Sequence, residues 1–154
     1  MNITQERRKV RGESVQFATF HVENLFFGIE AVRVQEVLRY QEMTPIPLAP
    51  KAIRGLINLR GQTVAAVDTR CTLGLPPHPG PGGPMNIIIQ TDDGPISLLV
   101  DSIGDVLEVP LNSYAPVPDN VPAHQRELIA GVYRLKDRLM HLLRAERFLE
   151  VACH

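Results

Sequence analysis

Short apolar runs separated by turn-forming residues dominate this sequence and restrict the folds open to it. Many runs alternate apolar and polar side chains or contain several β-branched residues, as strands do. Four pairs of runs enclose only two turn residues, which is the spacing of a tight β-hairpin. These turn pairs are Glu23-Asn24, Arg60-Gly61, Asp93-Gly94 and Lys136-Asp137. The pattern predicts about ten short strands and few helices.

Four segments depart from this alternation. EAVRVQEVLR has Val34, Val37 and Leu38 at helical spacing with charged residues between them, which predicts a short amphipathic helix. AERFLEV, near the C-terminus, predicts a second short helix. MTPIPLAP has too many prolines for a central strand, so we expect an extended connector. LPPHPGPGGP is predicted to be a surface loop because proline and glycine dominate it.

The predicted elements favour an all-β fold built from small barrels over an α/β alternation. A weak internal sequence repeat aligns residues 61–69 with residues 94–102. Each segment contains a turn glycine, an apolar strand, and then Val-Asp followed by a hydroxyl residue. This repeat is consistent with two similar barrels on either side of the proline-rich loop.

The chain divides into a short basic start and one folded region. Residues 1–13 contain four basic residues close together and no apolar period, so we expect a flexible basic arm. We expect residues 14–152 to form the folded region. Its approximate lobes are 20–84 and 85–152, and the two lobes could share the N-terminal strand.

Composition argues against several classes of protein. The net charge of -1 provides no global field for nucleic acid or an anionic membrane, and aromatic residues for base stacking are only 5% of the chain. The apolar runs are far too short to insert into a membrane, and the polar start is not a signal peptide. We therefore expect a cytoplasmic protein with Cys71 and Cys153 reduced.

Motifs for catalysis are missing from the sequence. It contains no G-x-S-x-G, no G-x-x-x-x-G-K-[ST] and no H-E-x-x-H, and the five histidines are too scattered to share a metal. Asp68 and Asp101 could form a general acid and base pair. Each follows an apolar strand, however, where a carboxylate can accept backbone N–H bonds from the next turn. We favour this structural role, and we predict no enzyme, no cofactor and no metal.

Four motifs together resemble the CheW family of bacterial chemotaxis coupling proteins. They are VENLFFGIEAVRVQEVLRY, PIPLAPKAIRGLINLRGQTVAAVDTR, ISLLVDSIGDVLEV and LIAGVYRLKDRLMHLL. The resemblance runs from about residue 15 to residue 150, and its most specific part is G-x-x-N-L-R-G followed by V-D-x-R. It implies two small five-stranded β-barrels that share a hydrophobic seam, with one or two short helices.

The resemblance also implies partners and a binding site. CheW-like proteins couple the cytoplasmic tips of methyl-accepting chemoreceptors to the regulatory domain of the histidine kinase CheA. Their CheW-like domains assemble into rings at membrane-bound receptor arrays. By position, the family's receptor-groove elements match six residues of this chain. They are Val34, Glu36, Gly55, Arg60, Ile103 and Val106.

Arg60 raises a separate question because it interrupts an apolar segment at a predicted turn. A partly buried guanidinium needs acceptors, which Glu36 or Asp68 could supply as a bidentate carboxylate. Our hypothesis is that Arg60 pairs with Glu36 beside the groove. The alternative is a solvated turn arginine that contributes little to stability.

The sequence leaves three functions open. The first is a non-catalytic adaptor between chemoreceptors and a CheA-type kinase. The second is a CheW-like scaffold of a pilus-motility or other non-flagellar chemosensory pathway. The third is a small-molecule-binding or enzymatic double barrel, which would need a cavity with converging polar groups. We favour the first.

Overall fold

A computed structural model describes residues 14–77 and 82–153. The predicted basic arm, residues 1–13, and residues 78–81 of the predicted surface loop lie outside the described residues. The described residues form eleven strands and three short helices. The strands are β1 (Ser14–Val22), β2 (Leu25–Glu30), β3 (Val34–Leu38), β4 (Ile53–Leu59), β5 (Gln62–Asp68), β6 (Met85–Thr91), β7 (Gly94–Val100), β8 (Ser102–Pro110), β9 (Tyr114–Ala115), β10 (Ile129–Arg134) and β11 (Leu139–Leu143). The helices are α1 (Thr69–Leu73), α2 (Ala123–Arg126) and α3 (Ala145–Ala152).

The strands form two sheets, which confirms the predicted all-β class. A six-stranded sheet has the order β8-β1-β2-β11-β10-β9, and a five-stranded sheet has the order β3-β6-β7-β5-β4. The predicted hairpins β1–β2, β4–β5, β6–β7 and β10–β11 are all present as antiparallel pairs. The β6–β7 turn is Asp92-Asp93 rather than the predicted Asp93-Gly94, because Thr91 pairs with Gly94. Two pairs, β2–β11 and β5–β7, are parallel. The first sheet has six strands rather than five because the two-residue strand β9 adds to its edge.

The sheets do not coincide with the lobes approximated from the sequence. The strands β3, β4, β5, β6 and β7 all belong to the five-stranded sheet, so this sheet continues beyond residue 84. The chain enters it after Glu30 and leaves it after Val100. The two repeated segments are β5 and β7, which are parallel neighbours in one sheet rather than members of two barrels.

The helix predicted over residues 30–39 is wrong. The chain forms a single 3₁₀ turn over Ala31–Arg33 and then the strand β3, which pairs with β6. Val34 is half-buried, whereas Val37 is 42% exposed, so the two valines do not share a buried face. Alternate side chains along β3 are half-buried and exposed, which is the period of a strand. The predicted C-terminal helix is confirmed as α3.

One apolar core joins the two sheets and forms the predicted hydrophobic seam. The first sheet contributes Phe20 and Phe27, which stack at 5.4 Å between ring centroids. The second sheet contributes Ile89 and Leu98, and α3 contributes Phe148. These side chains are almost completely buried, so the sheets are held together mainly by the hydrophobic effect.

Candidate partner-binding site

Arg60 lies in a strained two-residue turn between β4 and β5. Leu59 pairs with Gln62, and the intervening residues Arg60 and Gly61 have φ angles of 51° and 81°. Two positive φ angles in a two-residue hairpin are typical of a type I′ turn, where asparagine or aspartate usually precedes glycine. An arginine is therefore not the residue that this turn geometry prefers. The contacts of the Arg60 side chain, rather than its backbone conformation, explain why an arginine occupies this turn.

The Arg60 guanidinium forms a bidentate pair with Glu36 of β3. Nη1 donates to Glu36 Oε2 at 2.8 Å, and Nη2 donates to Oε1 at 2.7 Å. The hypothesis that Arg60 pairs with Glu36 is thus confirmed at the level of contact. Hydrogen bonding to Glu36 raises the pKa of Arg60 above its usual value. The Arg60 side chain is 79% exposed and that of Glu36 is 24% exposed, so the pair forms part of the surface.

Gly55 and Val34 are less accessible than a groove-lining role would suggest. Gly55 is buried, and a Cβ at this position would lie 2.6 Å from the carbonyl oxygen of Thr44. Thr44 is held there by two backbone hydrogen bonds to Leu56, each of 2.8 Å. Val34 is half-buried and packs against the shared core. Gly55 therefore permits the Thr44 backbone to approach β4 closely. Val34 exposes only part of its side chain to solvent.

Ile103 and Val106 lie on β8, an edge strand of the other sheet. Val106 is 60% exposed and pairs with Ala18 of β1. Ile103 is half-buried and, like Val34, packs against the shared core. The six predicted residues are therefore divided between the sheets, four on the five-stranded sheet or its turn and two on β8. Within this set, Arg60 and Glu36 contact each other directly.

Comparison with known proteins identifies the family. The family model described as a CheW-like domain matches residues 16–153. The chain belongs to the CheW family. It is 28% identical over 143 residues to the chemotaxis protein CheW of Klebsiella aerogenes, covering 92% of this chain and 86% of that protein. It is 29% identical over 128 residues to the CheW of Rhizobium meliloti, covering 83% of each.

The fold has a solved counterpart in this family. The crystal structure of the scaffolding protein TtCheW from Thermoanaerobacter tengcongensis superposes with a TM-score of 0.77. It is 24% identical and covers 85% of this chain and 89% of the solved chain. The all-β, two-sheet architecture of this CheW-like domain is therefore shared with a known relative.

Asp68 has the contacts expected of a carboxylate at the end of a strand. Its Oδ1 accepts the backbone N–H of Cys71 at 3.1 Å and so caps α1. Its Oδ2 accepts from Nε of Arg54 at 2.7 Å. Arg54, rather than Arg60, is therefore the cationic partner of Asp68. Arg54 lies at an irregularity in the pairing of β4 with β5, between Ile53 and Gly55, which the sequence alone does not specify.

Asp101 has partners that differ from those expected. Its Oδ2 accepts the backbone N–H of Glu23, which lies in the β1–β2 turn, at 2.7 Å. Arg70 donates to both carboxylate oxygens, from Nε at 2.8 Å and from Nη2 at 2.6 Å. Hydrogen bonding to Asp101 raises the pKa of Arg70 against the opposing effect of burial. Sequence reasoning missed Arg70, although the V-D-x-R motif contains it.

A small-molecule-binding or enzymatic double barrel would need a cavity with converging polar groups, and the protein has a small cavity of about 220 Å³. Asp68, Asp101, Arg54 and Arg70 all line it. Each carboxylate is already engaged by an arginine, so the cavity offers paired charges rather than a general acid and base. Within residues 14–77 and 82–153, no cluster of three or more potential ligands could hold a metal ion. None of the described helices is long and apolar enough to cross a membrane.

Proposed function

We propose that this chain is a non-catalytic adaptor that couples the cytoplasmic tips of chemoreceptors to a CheA-type histidine kinase. The observation that best supports this function is the Arg60–Glu36 pair, which lies on the surface of a CheW-like domain. Proteins named for chemotaxis and scaffolding are similar over most of the chain. Such a role requires binding surfaces rather than reactive groups.

We propose that the receptor binds along Val34, Glu36, Gly55, Arg60, Ile103 and Val106. An amphipathic receptor helix has an apolar stripe that can pack on exposed apolar side chains such as Val106. The oriented guanidinium of Arg60 would define the register of that helix, because charge complementarity contributes more to specificity than to affinity. Gly55 acts indirectly in this scheme, by allowing the Thr44 backbone to pack against β4.

The remaining partners follow from the same proposal. The regulatory domain of the kinase binds a separate surface, and CheW-like domains join into rings beneath the receptors. The protein then acts in the cytoplasm, where it is recruited to membrane-bound receptor arrays. Individual contacts can be weak in such an array because many linked contacts raise the overall avidity.

A capture experiment with two immobilised partners tests this function. One partner is a chemoreceptor cytoplasmic fragment and the other is the regulatory domain of a CheA-type kinase. At about 50 μM, where weak complexes are populated, both should retain the wild-type chain. Arg60→Ala should lose the receptor fragment and keep the kinase domain.

Arg147→Ala is the matched control, because Arg147 is also a surface arginine in ion pairs, with Glu127 and Glu150, but belongs to α3. This variant should keep both partners. Failure of the wild type to bind either partner would contradict the proposed function. Equal loss with both arginine variants would remove Arg60 from the receptor site.

A further inference from the structure

The chain passes between the two sheets at only two points within the described residues, and each leads directly into a strand of the proposed groove. The first passage, Ala31–Arg33, leads into β3, which begins at Val34. The second passage is the single residue Asp101, which leads into β8 and thus to Ile103. Beyond the shared core, the relative position of the two groove strands therefore depends on how these passages are held.

The second passage is held by Arg70, which extends from α1 at the end of the five-stranded sheet. Besides its two bonds to Asp101, Arg70 donates from Nη1 to the carbonyl oxygen of Pro76 at 2.9 Å. The same Nη1 lies 3.6 Å from Oε1 of Glu23, in the β1–β2 turn of the other sheet. The backbone N–H of Asp101 donates to the carbonyl oxygen of His21 at 3.0 Å. Arg70 thus links α1 both to the passage at Asp101 and to the β1–β2 turn of the other sheet.

The first passage has a similar but more exposed arrangement. Arg33 donates from Nε and Nη2 to the carbonyl oxygen of Gln90 on β6, at 3.3 and 3.1 Å. Arg33 also pairs with the carboxylate of Glu146 on α3. Its side chain is 29% exposed, whereas that of Arg70 is only 9% exposed. The Arg70 contacts are consequently better shielded from water and salt.

We propose that Arg70 is a positioning residue for partner binding, because it holds the passage at Asp101 and thereby sets the separation between β3 and β8. A bidentate pair between two planar groups restrains their relative orientation as well as their distance. The pair is nearly buried, with Asp101 only 17% exposed, so water cannot easily replace the guanidinium. The identity of the two groove strands rests on the proposed function, but the restraint on their separation does not.

Pulsed electron paramagnetic resonance can measure this separation without any partner. Nitroxides are attached at Val37→Cys and Val106→Cys, two exposed positions on β3 and β8, after Cys71→Ala and Cys153→Ser remove the native thiols. Arg70→Lys keeps the charge but lacks the planar fork. This variant should shift the mean distance by about 2 Å or broaden the distribution.

Arg54→Lys is the matched control, because Arg54 pairs with Asp68 inside the five-stranded sheet. This substitution should leave the distance between the nitroxides unchanged. Asp101→Asn is the second test variant, and it should act like Arg70→Lys. A folded Arg70→Lys or Asp101→Asn protein with the parent distribution would overturn the proposal. So would an equal change in Arg54→Lys.

Affinity for the receptor fragment, measured with unlabelled protein, separates this inference from the proposed function. Arg70→Lys should bind the fragment about fivefold more weakly than the wild type, because it loses preorganisation. Kinase-domain binding at a separate surface should change less. If the wild type does not bind the fragment, the proposed function fails, while the distance measurement still decides the role of Arg70.

Discussion

The Arg60 guanidinium contacts the Glu36 carboxylate, although the two residues belong to opposite edges of the five-stranded sheet. Glu36 is on the edge strand β3, and Arg60 follows the opposite edge strand β4. In a flat sheet these strands would be about 19 Å apart, four strand spacings, which is too far for the two side chains to meet. The sheet is therefore strongly curled. Arg60 thus has a structural reason to occupy a turn that would otherwise favour asparagine.

This geometry predicts that Arg60→Asn separates stability from binding. Asparagine tolerates the φ angle of 51° better than arginine, so the melting temperature should be unchanged or slightly higher. Affinity for the receptor fragment should fall, because the oriented guanidinium is lost. Thermal melts by circular dichroism and titration calorimetry measure the two effects. Wild-type affinity in Arg60→Asn would show that the receptor does not use Arg60.

The contribution of the pair itself can be measured by a double-mutant cycle. Arg60→Ala and Glu36→Ala should each weaken receptor binding. The double variant should bind the receptor with about the same affinity as the more severe single variant. The reason is that each substitution already removes the same bidentate contact. Additive losses in affinity and stability would sink the idea that the two residues act as a unit.

The hairpins could be predicted from the sequence because their signals are local. A two-residue turn such as Arg60-Gly61 and the alternation of the flanking residues both act within about ten residues. β3 was missed for a related reason. Val34, Val37 and Leu38 satisfy a helical period, and only pairing with β6 shows that a strand forms there.

Contacts between the sheets were harder to predict than the strands. The pairing of Arg60 with Glu36 could be inferred because a guanidinium within an apolar segment needs a carboxylate. The pairing of Arg70 with Asp101 depends on how the chain returns to the first sheet, which no local pattern specifies. The sequence therefore predicted the all-β fold class, but it did not indicate that β6 and β7 lie in the same sheet as β3, β4 and β5.

Charged substitutions at Val106 and Val34 should have different effects. Val106 is 60% exposed, so Val106→Asp should cost less than about 0.5 kcal/mol of stability while it weakens receptor binding. Val34 packs against the shared core, so Val34→Asp should cost about 2 kcal/mol or more. Urea titrations followed by circular dichroism measure both values. A large loss of stability in Val106→Asp would make this residue part of the core and not of the site.

Gly55→Ala should destabilise the fold through the backbone of Thr44. The added Cβ would lie 2.6 Å from the Thr44 oxygen and 3.0 Å from its carbonyl carbon, so the connector must move. We expect a loss of about 2 kcal/mol or more, because overpacking adds to the strain of alanine at the φ angle of 156°. Gly61→Ala is the control, because it meets no atom within 4 Å and should cost only about 1 kcal/mol for its positive φ. Equal losses would contradict the role given to Thr44.

Thr69→Val should stabilise the protein. Among the described residues, the Thr69 hydroxyl is the buried side-chain oxygen that lacks a hydrogen-bond partner, and the residue is fully buried at the start of α1. Removing an unsatisfied buried hydroxyl should add about 1 kcal/mol, which raises the melting temperature of a chain of this size by about 3 °C.

The neighbouring Thr72 provides the control for this prediction. Its hydroxyl donates to the carbonyl oxygen of Asp68 at 2.9 Å, so Thr72→Val removes a real hydrogen bond. This variant should lose about 1 kcal/mol, the opposite sign from Thr69→Val. Calorimetric melts of both variants make the comparison. Destabilisation by both substitutions would mean that the Thr69 hydroxyl has a partner in solution, such as a buried water molecule.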